Sequence, residues 1–114
     1  MALNEVDKRQ FNRVKTQAAL RYQVRGGETY NNAVCDNISA GGMSFMSERF
    51  IPRFTPLMLE VNILSKVLNP VGKVTWATSL PHSDKYRLGV EFVEMDPKEK
   101  EFISDYVDLQ LNIL

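Results

Sequence analysis

The chain has 114 residues, of which 44% are hydrophobic and 25% are charged, values close to those of average soluble domains. Its 14 basic and 14 acidic residues give a formal net charge of zero at pH 7, which excludes a general polyanion-binding surface, so any anion site must be local. This length is typical of one domain with a single hydrophobic core.

The first segment, residues 1–16, is predicted to be a polar arm. Its apolar residues are scattered, and the segment lacks the basic-then-apolar order of a signal peptide. No stretch of the sequence approaches the ~18 apolar residues of a membrane span. The one cysteine, Cys35, excludes an internal disulfide framework and suits a reducing compartment. We therefore expect a cytoplasmic protein without a membrane span.

Six short stretches after the arm predict β-strands, because alternating apolar and polar residues or glycine and proline turns mark them. They cover residues 17–24, 30–39, 43–46, 57–63, 71–78 and 86–93. Between them the sequence lacks the helices that parallel crossovers require. The pattern therefore favours a mainly β domain, a small antiparallel barrel, over residues 17–114.

A helix is predicted near the C-terminus, over about residues 97–111. Asp96 can serve as the N-cap, Pro97 fits the first helical position, and Glu99 completes a pattern that resembles a capping box. Apolar residues then recur at helical spacing to the end of the chain. They are Phe102, Ile103, Tyr106, Val107, Leu109, Leu111, Ile113 and Leu114. This face either packs across one mouth of the barrel or contacts a second copy or another partner.

Two arginines four residues apart, Arg9 and Arg13, form the first candidate ligand motif. Guanidinium is a planar, permanently charged fork that matches phosphate oxygens and the O6 and N7 edge of guanine. The same spacing is common in solvated basic segments, so this motif by itself does not define a site.

The second candidate motif is Asn37-x-Ser39-x-x-Gly42. Asn37 and Ser39 are two residues apart on a predicted strand and therefore project from the same face. Gly42 lets the backbone turn where a ligand must pass closely. By itself the motif is also typical of a simple turn, in which Asn and Ser bond to nearby backbone. Together, the two motifs predict one site for an anionic ligand that carries guanine.

The order of these features resembles a PilZ domain over about residues 8–110. The features follow each other as Arg9-x-x-x-Arg13, a strand pair, Asn37-x-Ser39-x-x-Gly42, further strands, and Leu88-Gly-Val-Glu-Phe92 before a C-terminal helix. The resemblance implies a six-stranded antiparallel barrel and a flexible N-terminal arm that carries the arginines. It also implies binding of the bacterial second messenger cyclic di-GMP.

The resemblance further implies a role for each motif residue. Arg9 and Arg13 would contact phosphates and the Hoogsteen edge of guanine, while Asn37 and Ser39 on the barrel would help to hold a guanine. Gly42 would keep the turn open. Because both motifs are intact, the chain resembles the members of the family that bind the nucleotide.

Four further residues are weaker candidates for ligand contact: Lys8, Asp36, Gly41 and Trp76. In the family, the position before the first arginine influences whether one ligand or a stacked pair is held. Lys8 is therefore interpreted either as a contact to a second ligand or as an ordinary solvated lysine. Trp76 shares strand parity with Val74, which favours a core position over a platform for stacking guanine. Asp36 and Gly41 are direct neighbours of motif residues.

Catalytic and metal sites are not predicted. His82 is the only histidine, and neither His82 nor Cys35 has partners at the spacing of a metal or nucleophile site. We expect no enzyme activity, no metal and no cofactor, with cyclic di-GMP as the ligand.

Three functions remain open from the sequence. The first is a cyclic di-GMP receptor that acts as a small regulatory adaptor when the ligand orders the arm. The alternative is a PilZ-like protein interaction module, in pilus assembly or motility, with weak or no nucleotide binding. A barrel that binds single-stranded nucleic acid is disfavoured, because zero net charge and few aromatic residues provide no basic stacking groove. The downstream protein partner is unidentified, and we expect a monomer or weak homodimer.

Overall fold

The computed structural model describes residues 11–112, which form eight strands and a helix. The elements are β1 (Val14–Lys15), β2 (Ala19–Val24), β3 (Asn31–Ser39), β4 (Gly42–Ser47), β5 (Pro56–Ile63), β6 (Lys66–Leu68), β7 (Val71–Ser79), β8 (Tyr86–Glu94) and α1 (Pro97–Leu111). The six predicted strands agree with the observed ones to within two residues at each end, and the predicted helix coincides with α1.

Six of the strands form a closed antiparallel barrel in the order β3, β2, β5, β7, β8, β4, and β4 returns to pair with β3. The expected mainly β fold with a C-terminal helix is therefore confirmed. Two short strands have no counterpart in the prediction. β6 pairs antiparallel with the end of β5. β1 pairs with β3 through Val14 and Ile38, so the end of the segment predicted as an arm lies on the barrel.

The core lies inside the barrel, where alternate side chains from each strand meet. Its largest fully buried side chains include Phe45, Leu57 and Leu88. Helix α1 adds Ile103 and Val107 to this core and packs against β1 and β3. The first part of the predicted face thus packs on the barrel, whereas Leu109 and Leu111 are exposed, and Ile113 and Leu114 lie outside the described residues. Within residues 11–112, no helix combines the length and apolar character needed to cross a bilayer.

The start of α1 is capped as the sequence predicts, with one difference. The Asp96 carboxylate accepts a hydrogen bond from the backbone N–H of Lys98 at 2.8 Å, and Pro97 begins the helix. The Glu99 carboxylate instead accepts from the backbone N–H of Asn69 at 3.1 Å. Glu99 therefore joins the helix to the turn between β6 and β7.

Of the three register shifts in the described strand pairings, two are β-bulges that change which candidate site residues face outward. One lies in β3 between Cys35 and Asn37, and the other lies in β7 between Val74 and Trp76. Each bulge inserts one residue and so inverts the alternation beyond it. The expected core position of Trp76 is wrong for this reason, because its side chain is 42% exposed whereas Val74 is buried. The indole lies outside the barrel against Gly89.

We predict that Gly42→Ala destabilises the barrel by about 1–3 kcal/mol, the usual cost of overpacking. A methyl group at Gly42 would overlap the backbone carbonyl oxygen of Val90 in β8, and paired backbone cannot move aside. The free energy of unfolding in urea, measured for the wild type and the variant, tests this.

The matched control is Gly89→Ala. A methyl group at Gly89 would meet the indole of Trp76, a side chain that can swing into solvent, so we expect a smaller loss of stability and a shift in the fluorescence of this single tryptophan. Equal losses in the two variants would contradict the assignment of Gly42 to close strand approach.

Candidate functional site

The candidate site lies on the outer face of the barrel, where one residue from each of four strands forms a row. Asn37 of β3 pairs with Ser44 of β4, Ser44 pairs with Gly89 of β8, and Gly89 pairs with Trp76 of β7. Directly paired residues of an antiparallel sheet share a face. The row therefore places a polar amide and an exposed indole on the same side of the barrel.

Asn37 and Ser39 flank Ile38 and lie on the same face of β3, as their spacing predicts, but Ser39 is itself buried, with 2% exposure. Their side chains make different contacts. The Ser39 hydroxyl accepts from the backbone N–H groups of Gly41 at 3.1 Å and Gly42 at 3.2 Å. Ser39 thus stabilises the turn between β3 and β4, while the Asn37 amide faces the segment that precedes β1.

The structure brings the two sequence motifs into direct contact. The guanidinium of Arg13 donates through Nη1 to Oδ1 of Asn37 at 2.8 Å. Arg13 comes just before β1, and the pairing of β1 with β3 holds it next to the motif on β3. Arg9 and Lys8, the other predicted ligand residues of the arm, lie outside the described residues.

The turn glycines have packing roles beside the site. A methyl group at Gly41 would overlap the ring of Phe11, so the absence of a side chain at Gly41 lets this ring pack against the turn. The Nζ of Lys100 in α1 lies 5.0 Å from the centroid of the same ring. Gly41 therefore helps to place the start of the described chain against the barrel.

Asp36 connects the motif to two residues that the sequence analysis missed. Its carboxylate accepts from Nδ2 of Asn37 at 3.2 Å and from the hydroxyl of Ser44. Its Oδ2 also contacts Nε of Arg87 at 2.9 Å and Nη2 of Arg87 at 2.8 Å. The alternation of β8 could have placed Arg87 on the outer face, opposite the buried Leu88, but it gives no signal that Asp36 is the partner.

A cleft of about 620 Å³ adjoins the site at Asp36. It opens where the first half of β3 and the end of β4 separate, and its lining includes Asn32, Met46, Arg49 and Lys85. The volume falls in the range of small-molecule sites. Its lining also includes the buried Tyr22, Cys35 and Ser47, so the cleft reaches between the two strands, and of the candidate ligand residues that the structure describes only Asp36 lines it.

Cys35 lies beneath the site with its side chain fully buried, and its Sγ donates to the backbone oxygen of Asn37 at 3.1 Å. Burial, with a smaller contribution from the charge of Asp36, raises the pKa of this thiol from 9.0 to about 12. The thiol is therefore protonated and unreactive near neutral pH. Among residues 11–112, no cluster of three or more His, Cys, Asp and Glu side chains is arranged to hold a metal ion.

Comparisons with known proteins agree on the fold. A family model described as PilZ domain matches residues 7–109. The Bacillus subtilis inhibitor of motility (MotI/DgrA) has a TM-score of 0.82 at 20% identity, over 93% of this chain and 53% of that protein. The chain therefore spans about half the length of that inhibitor.

Two structures with c-di-GMP are also similar to this chain. The PilZ domain with c-di-GMP of YcgR from Escherichia coli has a TM-score of 0.71 at 12% identity, over 94% of this chain and 96% of that chain. The K. pneumonia MrkH–c-di-GMP complex has a TM-score of 0.73 at 17% identity, over 94% of this chain and 53% of that chain. At these identities the likeness shows the fold alone. No curated protein matches the chain significantly.

We predict that the Cys35 thiol of the folded protein reacts with a disulfide reagent at pH 8 at least about a thousandfold more slowly than that of the unfolded protein. A pKa raised from 9.0 to about 12 lowers the thiolate fraction by this factor, and burial blocks access in addition. Thiol titration with and without guanidinium measures both rates. Comparable rates would show that Cys35 is accessible in the folded chain.

The same shift has a consequence for stability at high pH. The pKa of Cys35 is higher in the folded protein than in the unfolded protein. The contribution of the protonated thiol to folding stability is therefore complete below pH 9 and is lost as the pH rises towards about 12. Cys35→Ala should therefore lose stability less steeply than the wild type over this range.

Proposed function

The chain belongs to the PilZ domain family, and we propose that it is a receptor for cyclic di-GMP that acts as a small regulatory adaptor. The observation that carries the proposal is the contact between Arg13 and Asn37, because it joins the arginine motif to the Asn-x-Ser-x-x-Gly motif at one point on the barrel. The similar structures with c-di-GMP, the PilZ domain of Escherichia coli YcgR and the K. pneumonia MrkH complex, support the choice of ligand.

In this proposal the arginines provide affinity. Cyclic di-GMP carries two negative charges, and charge-assisted hydrogen bonds are roughly twice as strong as neutral ones. Arg9 and Arg13 contact its phosphates and the Hoogsteen edge of a guanine, while Asn37 and Ser39 help to hold a guanine against the barrel. Because the formal net charge of the chain is zero, the positive charge for an anionic ligand must come from a few nearby residues, and these two arginines are only four residues apart.

Ligand binding is proposed to exchange partners at Asn37. Its Oδ1 accepts from Arg13 at 2.8 Å, so the nucleotide takes over this acceptor and Arg13 moves to a phosphate. The exchange fixes the part of the arm that precedes β1 over the ligand and creates a new surface for a downstream protein. A ligand shifts such an equilibrium only by its differential affinity for the two states, and the contacts of Arg9 and Arg13 to phosphate supply that difference.

Trp76 is proposed as a stacking platform for a guanine of the ligand. Its indole is 42% exposed and lies on the outer face in the same cross-strand row as Asn37. Stacking of a base on an aromatic side chain contributes about 1–3 kcal/mol. Asn37 and Trp76 would thus hold the ligand by hydrogen bonding and by stacking.

We predict that Arg9→Ala and Arg13→Ala each weaken cyclic di-GMP binding by about 1–3 kcal/mol, because each removes a charge-assisted hydrogen bond. Calorimetric titration measures the affinity, and thermal unfolding checks that the variants remain folded. Arg53→Ala is the control, because Arg53 stacks 4.8 Å from the ring centroid of Phe54 in the loop before β5. Unchanged affinity in both arm variants would reject the site.

The same titration separates the remaining alternatives. Titrations with guanosine triphosphate and cyclic di-AMP measure selectivity. The stoichiometry shows whether Lys8 extends the site to a second ligand. If it does, Lys8→Ala lowers the number of ligands bound per chain from two to one. A wild-type chain that binds no cyclic di-GMP would favour the protein interaction module over the receptor.

We predict that saturation with cyclic di-GMP quenches the fluorescence of Trp76, since a stacked guanine lies directly on the indole. Trp76 is the single tryptophan of the chain, so the signal needs no correction for other residues. Trp76→Ala should weaken binding by about 1–3 kcal/mol, and Trp76→Phe should weaken it less because a smaller aromatic face remains. Unchanged emission at calorimetric saturation would place the ligand away from Trp76.

A further inference from the structure

A continuous set of polar contacts runs from Arg87 on β8 to Arg13 beside β1. Arg87 contacts Oδ2 of Asp36 through Nε at 2.9 Å and through Nη2 at 2.8 Å. The other oxygen of Asp36 accepts from Nδ2 of Asn37 at 3.2 Å and from the Ser44 hydroxyl. Oδ1 of Asn37 then accepts from Nη1 of Arg13 at 2.8 Å.

The neighbours of Asn37 determine which way its side-chain amide points. A carboxylate can only accept hydrogen bonds and a guanidinium can only donate them. Asp36 therefore requires the NH₂ group on its side, and Arg13 requires the oxygen on the other side. Both neighbours demand the same orientation, so the donor end of Asn37 is held at the barrel and its acceptor end is presented outward.

Arg87 holds the carboxylate of Asp36 in the position from which it accepts the hydrogen bond of the Asn37 NH₂ group. Its two contacts to Oδ2 occupy that oxygen and leave Oδ1 to face Asn37 and Ser44. Arg87 is the second residue of β8 and is paired on both sides, with Met46 as its partner in β4 and Thr78 as its partner in β7. Its position is therefore set by the barrel and does not depend on the arm.

We propose that Arg87 and Asp36 are positioning residues that lock the Asn37 amide with its oxygen towards the nucleotide, so that the site takes guanine in preference to adenine. The inference rests on the proposed function, in which Asn37 contacts a guanine. Guanine carries hydrogen atoms on ring nitrogen N1 and on the exocyclic N2, which an acceptor can meet. Adenine has a bare acceptor at N1 and no amino group at C2, so the locked oxygen would face an unpaired lone pair.

The first test compares the affinities for cyclic di-GMP and cyclic di-AMP in Arg87→Met. Loss of the two contacts frees Asp36 and with it the Asn37 amide, so we expect the ratio of the two affinities to fall roughly 5- to 150-fold, the discrimination of one well-placed base contact. Arg87→Lys should lie between the wild type and Arg87→Met, because an ammonium keeps the charge but not the planar fork.

Arg21→Met is the matched control. Arg21 also forms a cross-strand ion pair, with Glu60 at 3.3 Å, and the side-chain exposures are 49% and 32%, compared with 46% and 33% for Arg87 and Asp36. Both substitutions remove one half-exposed guanidinium from a cross-strand ion pair and so change the net charge alike, and Arg21 also lies 4.4 Å from the ring centroid of Tyr30. We expect Arg21→Met to leave the affinity ratio unchanged, and an equal change in both variants would overturn the proposal.

A second measurement follows Asn37 itself in the absence of ligand. The side-chain NH₂ signals of Asn37, assigned by their loss in Asn37→Asp, report the bond to Asp36. We expect the two proton signals to be widely separated in the wild type and to move together in Arg87→Met, with no change in Arg21→Met. Signals that do not respond to Arg87→Met would overturn the positioning role.

The outcomes distinguish this inference from the proposed function. Selective binding of cyclic di-GMP that persists in Arg87→Met overturns the inference and leaves the receptor function in place. If the wild type binds neither nucleotide, the receptor function fails together with the selectivity role, and the Asn37 signals alone then support or overturn the positioning of the amide.

Discussion

The candidate site depends on the β-bulge in β3, where Asp36 is inserted between two residues that pair regularly with β4. The bulge shifts the alternation of the strand by one residue, so Cys35 and Ile38 both face the core and Asn37 turns outward. Strict alternation from Cys35 would instead bury Asn37. The bulge also leaves Asp36 beside Asn37 at the surface, which allows two neighbouring carboxylate and amide groups to bond to each other.

The bulge in β7 likewise turns a side chain outward, at the other end of the row that begins at Asn37. It turns Trp76 out of the core, and Gly89 provides the flat surface on which the indole lies because glycine has no side chain there. The two bulges therefore align an oriented amide and an exposed aromatic ring across four strands. A hydrogen-bonding amide and an exposed aromatic ring suit the purine ligand proposed above, and each bulge places one of these two groups on the outer face.

The contacts of the site and the stability of the barrel rest on different interactions. An ion pair as exposed as that of Arg87 and Asp36, at 46% and 33%, contributes at most about 1 kcal/mol to stability. Burial of large side chains such as Phe45, Leu57 and Ile103 provides the main stabilisation. The polar network therefore orients Asn37 rather than holding the fold together, so substitutions in it should leave the barrel intact.

The sequence by itself determined the order of the six barrel strands and the helix, because alternation, glycine and proline turns and the Asp96 cap are local signals. It also determined that Asn37 and Ser39 share a face, since their spacing within one strand decides this. Only the tertiary structure decided that Trp76 faces outward and that Arg87 reaches Asp36, 51 residues away in the chain. Bulges and cross-strand register arise when the barrel closes. The interactions that set them join segments far apart in the chain, so no local sequence pattern predicts them.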